Sequence, residues 1–248
     1  MPKPRVLFKL PNRRGQPGHV ILNWSGDPIG DLDRVAEAYR VVAHDRVEAL
    51  RAHRRFLGGG LEWEVYPIVF LYRQAFELTL KAIILAGAVF LRDIGQDPMP
   101  IAKVMKHDLL PLFSEVDRIL EAIEPNGEPW DFDVPGLRTR AQFRQVVSEF
   151  DLYDRGSYTF RYTVCKDGTT ASLDRGFEFD LFAFAALMDR VVPALIGAPS
   201  WIRELMQDRW QAAWEAQVEE WTNADYEPPD FDFEFEPPDF DPSDYDPD

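Results

Sequence analysis

Between Glu64 and Arg92 the chain carries only three charged residues, Arg73, Glu77 and Lys81, each four positions from the next. On a helix that spacing stacks them on one face, with the carboxylate in reach of both cations. The residues around them, among them Ile68, Phe70, Leu71, Phe76, Leu80 and Ile83, are apolar nearly all round. Such a helix belongs at the centre of a bundle. Charges held there are costly unless they are partnered. Two roles follow. One is an internal Arg–Glu–Lys ladder that sets the register of neighbouring helices. The other is a polar pocket in which Arg73 and Lys81 are offered to a phosphate.

Two further segments bring groups to the same pocket. In Lys106-His107-Asp108-Leu109-Leu110, His107 suits general acid–base work or a phosphate contact. The plainer role for His107 and Asp108 is to cap the helix that follows. Tyr158 to Cys165 is rich in β-formers, and Lys166-Asp167-Gly168-Thr169 has the composition of a hairpin turn. Strand alternation places Phe160 and Tyr162 on one face and Arg161 on the other. Arg161 is then expected to pair with Glu77 or Asp108, or to bind an anion beside them.

The elements that must hold these groups are mostly helical. Val6 to Leu10 and His19 to Trp24 read as the strands of an N-terminal hairpin. Asp31 is the expected N-cap of a first helix running to about Phe56, with Val35, Ala38, Tyr39, Val42, Val47 and Leu50 on its apolar repeat. Gly58-Gly59-Gly60 ends it. A second helix is expected from near Tyr66, with Pro67 in its first turn, to about Leu91. A third spans His107 to Ile123 and a fourth Leu137 to Tyr153. Two more follow, Asp180 to Ile196 and, with Ser200 as cap, Ser200 to Trp221.

The last segment is of different composition. Glu227-Pro228-Pro229-Asp230-Phe231-Asp232 recurs as Glu236-Pro237-Pro238-Asp239-Phe240-Asp241. Proline blocks helix and central strand, and the acids repel one another, so disorder is expected. Phe231, Phe233, Phe235, Phe240 and Tyr245 are then exposed anchors for a partner's groove. Acids interleaved with rings also imitate a nucleic-acid strand, with carboxylates for phosphates and rings for stacked bases.

Composition limits the remaining classes. The chain has 248 residues, 46% of them hydrophobic, and a net charge of −16 from 43 acids and 27 bases. Eleven of those acids and none of the bases lie in residues 223–248, so residues 1–222 carry a net −5. That balance argues against broad non-specific binding to nucleic acid or to an anionic membrane. A single Cys165 and four His without zinc-site spacing give no metal site. The glycine-rich phosphate loops and the nucleophile elbow of hydrolases are absent, so no cofactor is expected. The apolar stretch Val65 to Leu91 holds three charges that lipid would not accept, and the start of the chain has no signal-peptide core. A soluble, cytoplasmic protein is expected.

Tyr72-Arg73-Gln74-Ala75-Phe76-Glu77-Leu78-Thr79-Leu80-Lys81, followed by Lys106-His107-Asp108-Leu109 and by Ser157-Tyr158-Thr159-Phe160-Arg161-Tyr162, resembles the HEPN superfamily. The resemblance covers roughly residues 60–195. It implies a helical bundle of the kind found in toxin–antitoxin and phage-defence systems, either a metal-independent ribonuclease or a non-catalytic relative. Catalytic members carry Arg, four to six residues and then His on a late helix, and this chain has no His after His107. Arg46 and His53 are the only helical pair near that spacing, on the first helix, and the basic stretch Arg51 to Arg55 beside them fits a solvated face equally well. His107 is the other candidate acid–base group.

The expected fold is mainly α, a bundle of about six helices with one or two small β-hairpins and a disordered acidic C-terminal tail. Residues 1–30 form a hairpin extension, 31–222 the bundle and 223–248 the tail. The expected function is partner binding in a bacterial defence or toxin–antitoxin system. Arg73, Glu77, Lys81, His107, Asp108 and Arg161 build the central pocket. The partner is a protein, with a nucleic-acid-binding protein as one candidate, RNA or a nucleotide as the alternative at the bundle, and a homodimer as a further form. Enzyme activity is the second hypothesis.

Overall fold

The computed structural model describes residues 25–52, 61–124, 137, 139–165, 167–173 and 176–223. The N-terminal hairpin expected before residue 25, His53 and the acidic repeats after residue 223 lie outside them. Among the described residues there are six helices of more than a dozen residues and one single turn, α3. They are α1 Pro28–Ala52, α2 Leu61–Asp93, α3 Ile101–Val104, α4 Leu109–Ile123, α5 Arg140–Tyr153, α6 Leu181–Ile196 and α7 Ala198–Asn223. The chain divides into two compact units, Met1–Leu205 and Met206–Asp248. The first holds α1 to α6 and the start of α7. The described part of the second is the remainder of α7.

Capping explains where the helices start. The carboxylate of Asp27 accepts from the amide of Gly30 at 3.1 Å, and Pro28 takes the first helical position, where its missing N–H is no loss. Asp27, not Asp31, therefore caps α1. Asp31 lies inside the first turn and accepts from the Ser25 amide at 3.1 Å. Thr139 and Gln142 form a capping box on α5, which shifts its start from Leu137 to Arg140. Asp180 caps α6 by accepting from the amides of Phe182 and Ala183 at 2.9 and 3.0 Å. Gly197 keeps helical angles (φ −74°, ψ −20°), so α7 begins at Ala198 and Ser200 lies within it.

The longest contact is between α1 and α2, and α4 and α6 also pack on α2. On α1 the buried face is Ala36, Ala43, Val47 and Leu50, while Val35 and Val42 are 46% and 57% exposed. The expected repeat thus holds at Val47 and Leu50 and, in part, at Tyr39, while Val35, Ala38 and Val42 face outward and Ala36 and Ala43 take the buried positions. Small side chains at Ala36 and Ala43 permit close approach, and the branched valines turn to the surface. A second close approach joins α2 and α4, where a Cβ on Gly87 would lie 2.5 Å from Cγ2 of Ile119.

α2 starts five residues earlier than expected, which puts Pro67 inside the helix. It is long and apolar enough to cross a membrane by length and composition, as is the stretch Leu181–Glu220. Within the first unit α2 is the covered central rod, with Ile68, Tyr72, Phe76, Leu80, Ile83 and Leu91 buried. α4 starts at Leu109 rather than His107, because α3 and a short loop intervene. Asp108 occupies the N-cap position of α4, but its side chain makes no capping hydrogen bond.

Residues 155–172 depart most from expectation. Tyr158 to Thr163 is not a strand. The amides of Arg161 and Tyr162 both donate to the Tyr158 carbonyl at 3.1 Å, which closes a tight turn. Phe160 is therefore buried while Tyr162 is exposed, so the two do not share a face. Among the described residues the expected hairpin shows one bridge, Val164 with Ala171, around the Asp167-Gly168 turn. The cause of the turn is local. The buried carboxylate of Asp154 accepts from the amide of Thr159 at 2.6 Å and pulls the chain back on itself.

Candidate functional site

The stripe on α2 is the centre of a buried charge cluster. Glu77 Oε2 accepts from Nη1 of Arg73 at 2.7 Å, and its Oε1 accepts from Nζ of Lys81 at 2.7 Å. The side chains of Arg73 and Glu77 are each 1% exposed, and Lys81 is buried with them. Nη2 of Arg73 donates to the carbonyl of His107 at 2.6 Å. Its Nε lies 3.1 Å from Oδ2 of Asp154, an ion contact without hydrogen-bond alignment. The formal charges of Arg73, Lys81, Glu77 and Asp154 cancel.

His107 completes the cluster from the loop before α4. Its Nδ1 lies 2.8 Å from Glu77 Oε1, while the imidazole is 49% exposed. Burial pushes the Glu77 carboxyl up, but the hydrogen bonds and charges of Lys81 and Arg73 outweigh it and leave the group below the ordinary carboxylate range. An ionised carboxylate only accepts, so Nδ1 carries a proton, and in the neutral ring Nε2 is then the acceptor. A carboxylate that fixes a His tautomer in this way is the arrangement that acid–base sites use. Burial has the opposite outcome at Asp154. Its carboxyl is held above the ordinary range, against the Arg73 charge and the amides of Thr159 and Phe160.

The knuckle after α5 is built around these groups. Gly156 and Ser157 both have left-handed backbone, φ +67° and +58°, which is costly for the serine. Gln74 on α2 donates to the hydroxyl of Ser157 at 3.0 Å and holds it there. Arg161 donates from Nε to the Ser157 carbonyl and lies with its guanidinium 5.6 Å from the Phe70 ring centre. The expected pairing of Arg161 with Glu77 or Asp108 is not made. The structure thus brings Arg73, Glu77, Lys81 and His107 together and adds Asp154 and Ser157. Asp108 is half-buried beside them.

The other candidates part company. Arg46 pairs with Glu64 on α2, Nε to Oε2 at 2.6 Å. Its sequence partner His53 lies outside the described residues, as do Phe231, Phe233, Phe235, Phe240 and Tyr245. Among the described residues no three His, Cys, Asp or Glu converge as metal ligands.

A second polar cluster was missed from the sequence. Asp189 on α6 receives Nη1 of Arg40 at 2.9 Å and the hydroxyl of Tyr72 at 3.0 Å, and Nδ1 of His44 lies 2.7 Å from its Oδ2. Burial, with the Asp189 charge next, raises the Tyr72 phenol well above its usual range, so it stays a donor. Arg40 also holds Glu37 at 2.6 Å. Arg40 and His44 are one helical turn apart on α1, which was a legible signal. Their partner sits 145 residues away from His44, which was not.

No family model matches the chain, and no curated protein or solved structure is similar to it.

Proposed function

We propose that this protein is a HEPN-like helical bundle of a bacterial defence or toxin–antitoxin system that works by binding a protein partner, with its acidic aromatic tail as a contact or inhibitory element. The observation that carries this reading is the charge balance of the buried cluster. Arg73 and Lys81, the cations a phosphate site would need, are both spent on Glu77. A cluster whose charges cancel and whose cations are buried holds helices in register and offers little attraction to an incoming phosphate. The chain's own surplus of acids, concentrated after residue 222, points to a partner with a basic face, of which a nucleic-acid-binding protein is the leading kind.

A second reading rests on a specific feature. His107 and His44 are both part-exposed, and each has Nδ1 at a carboxylate, Glu77 and Asp189 respectively. An imidazole held this way can take a proton from a ribose hydroxyl without a metal, which is the chemistry of a metal-independent endoribonuclease.

RNA integrity separates the two. Total RNA is followed after expression of the wild type, His107→Ala and His44→Ala. Intact RNA in cells that hold folded wild-type protein supports partner binding. Cleavage that either substitution abolishes transfers the function to the corresponding imidazole.

A further inference from the structure

A cavity of about 160 Å³ opens among α2, α5, α6 and the segment before Asp180, and it shares no residue with the Glu77 cluster. Six rings line it, those of Phe150, Tyr153, Phe160, Phe177, Phe179 and Phe184. Five of them touch in sequence. Ring centres are 4.8 Å apart for Tyr153 and Phe177, 5.7 Å for Phe177 and Phe179, 5.8 Å for Phe179 and Phe184, and 6.0 Å for Phe184 and Phe150. Successive planes are turned by 54°, 44°, 81° and 75°, so the rings do not stack into one plate.

One charged residue lines the cavity, Glu149. Its Oε1 accepts from Gln145 at 3.2 Å, and no lysine, arginine or histidine among the described residues pairs with it. The remaining lining is aliphatic, from residues such as Val69 and Leu187.

These features select a ligand by charge. Aromatic faces are electron-rich and attract cations. Glu149 adds a full negative charge at the same wall, so a phosphate or carboxylate would be repelled. A strongly hydrated cation would lose too much water on entering an apolar space. A bulky ammonium with alkyl substituents is weakly hydrated, suits a space walled by rings, and can pair with Glu149. The volume is close to that which holds one benzene-sized molecule, roughly 150 Å³. We infer that this cavity is a binding site for a small organic ammonium cation, with the rings as its cage and Glu149 as its counter-charge.

The test compares choline with its uncharged isostere, in which a tert-butyl group replaces the trimethylammonium. Binding to the full chain is measured by ligand-detected NMR and calorimetry. The charge is expected to give choline about a tenfold advantage over the isostere. Glu149→Gln, at an exposed position, is expected to remove most of that advantage. Phe179→Leu keeps the wall apolar but removes one π face, and is expected to weaken choline several-fold while circular dichroism is unchanged. Equal affinity for the two probes, no choline binding at millimolar concentration, or a choline affinity that Glu149→Gln leaves unchanged would overturn the inference.

Discussion

Nδ1 of His107 lies 2.8 Å from Oε1 of Glu77, which ties a half-exposed ring on the loop before α4 to a carboxylate buried in the middle of α2. The same carboxylate holds Arg73 and Lys81, and Arg73 in turn reaches the His107 carbonyl and Asp154. Glu77 thus joins α2 to the loop before α4, and Arg73 carries the link on to Asp154 at the end of α5.

Removing that anion leaves buried Lys81 without its carboxylate and Arg73 with only Asp154 and the His107 carbonyl. Glu77→Ala is expected to cost about 3–5 kcal/mol in urea unfolding. Lys81→Ala leaves Glu77 with Arg73 and His107, so its cost is expected to be smaller, about 1–2 kcal/mol. Equal and negligible losses would mean that the stripe carries no structural role.

Acid should act through the same group. The folded state holds Glu77 below its ordinary value of 4.5. A carboxyl whose folded value is depressed contributes stability above the unfolded value and loses it as the pH falls through the folded one. The urea midpoint of the wild type is therefore expected to fall as the pH drops below 4.5, and that of Glu77→Gln to fall less steeply. Parallel curves would assign acid sensitivity elsewhere.

Asp33 on α1 should behave in the opposite sense. Burial, with the Asp27 charge in support and Arg203 opposed, pushes its carboxyl from 3.8 up to about 6, and its Oδ1 has no hydrogen-bond partner. The fold favours the protonated form, so Asp33 costs stability as the pH rises from 3.8 through about 6. Asp33→Asn is expected to gain about 1–3 kcal/mol at neutral pH and to lose that gain below pH 3.8. Thermal midpoints at two pH values check this, and no gain at neutral pH would contradict it.

Gly87 should resist any side chain. A Cβ there would meet three carbons of Ile119 at 2.5 to 2.9 Å. Gly87→Ala is expected to cost about 1–3 kcal/mol, and its combination with Ile119→Ala to cost less than the two losses added. Simple additivity would show that α2 and α4 are less closely packed at this point.

The i, i+4, i+8 charges on α2 were legible because helix geometry alone places them on one face. Their partners were legible in part. His107 stood out as one of four histidines, whereas Asp154 is one of many acids, and nothing local to it announces burial. The Tyr158 to Thr163 turn was misread because β-forming composition was overruled by Asp154, which accepts from the Thr159 amide, and by the two amides that close on the Tyr158 carbonyl. The first half of the α1 face, unlike Val47 and Leu50, was misread for a related reason. Alanine is a weak hydrophobic signal, yet Ala36 and Ala43 are the residues that fit between close helices. The His44–Asp189–Tyr72 cluster depends on three helices meeting, which no local pattern encodes.

The most direct test of partner binding is a parallel isolation from the native host of the full chain and a chain ending at Thr222. Bound protein is identified by mass spectrometry and nucleic acid by absorbance. The account predicts one protein held by the full chain, absent from the shorter one and released as salt rises, because eleven acids leave with the tail. Equal retention of that protein by both chains, or RNA held by both with no protein, would contradict it.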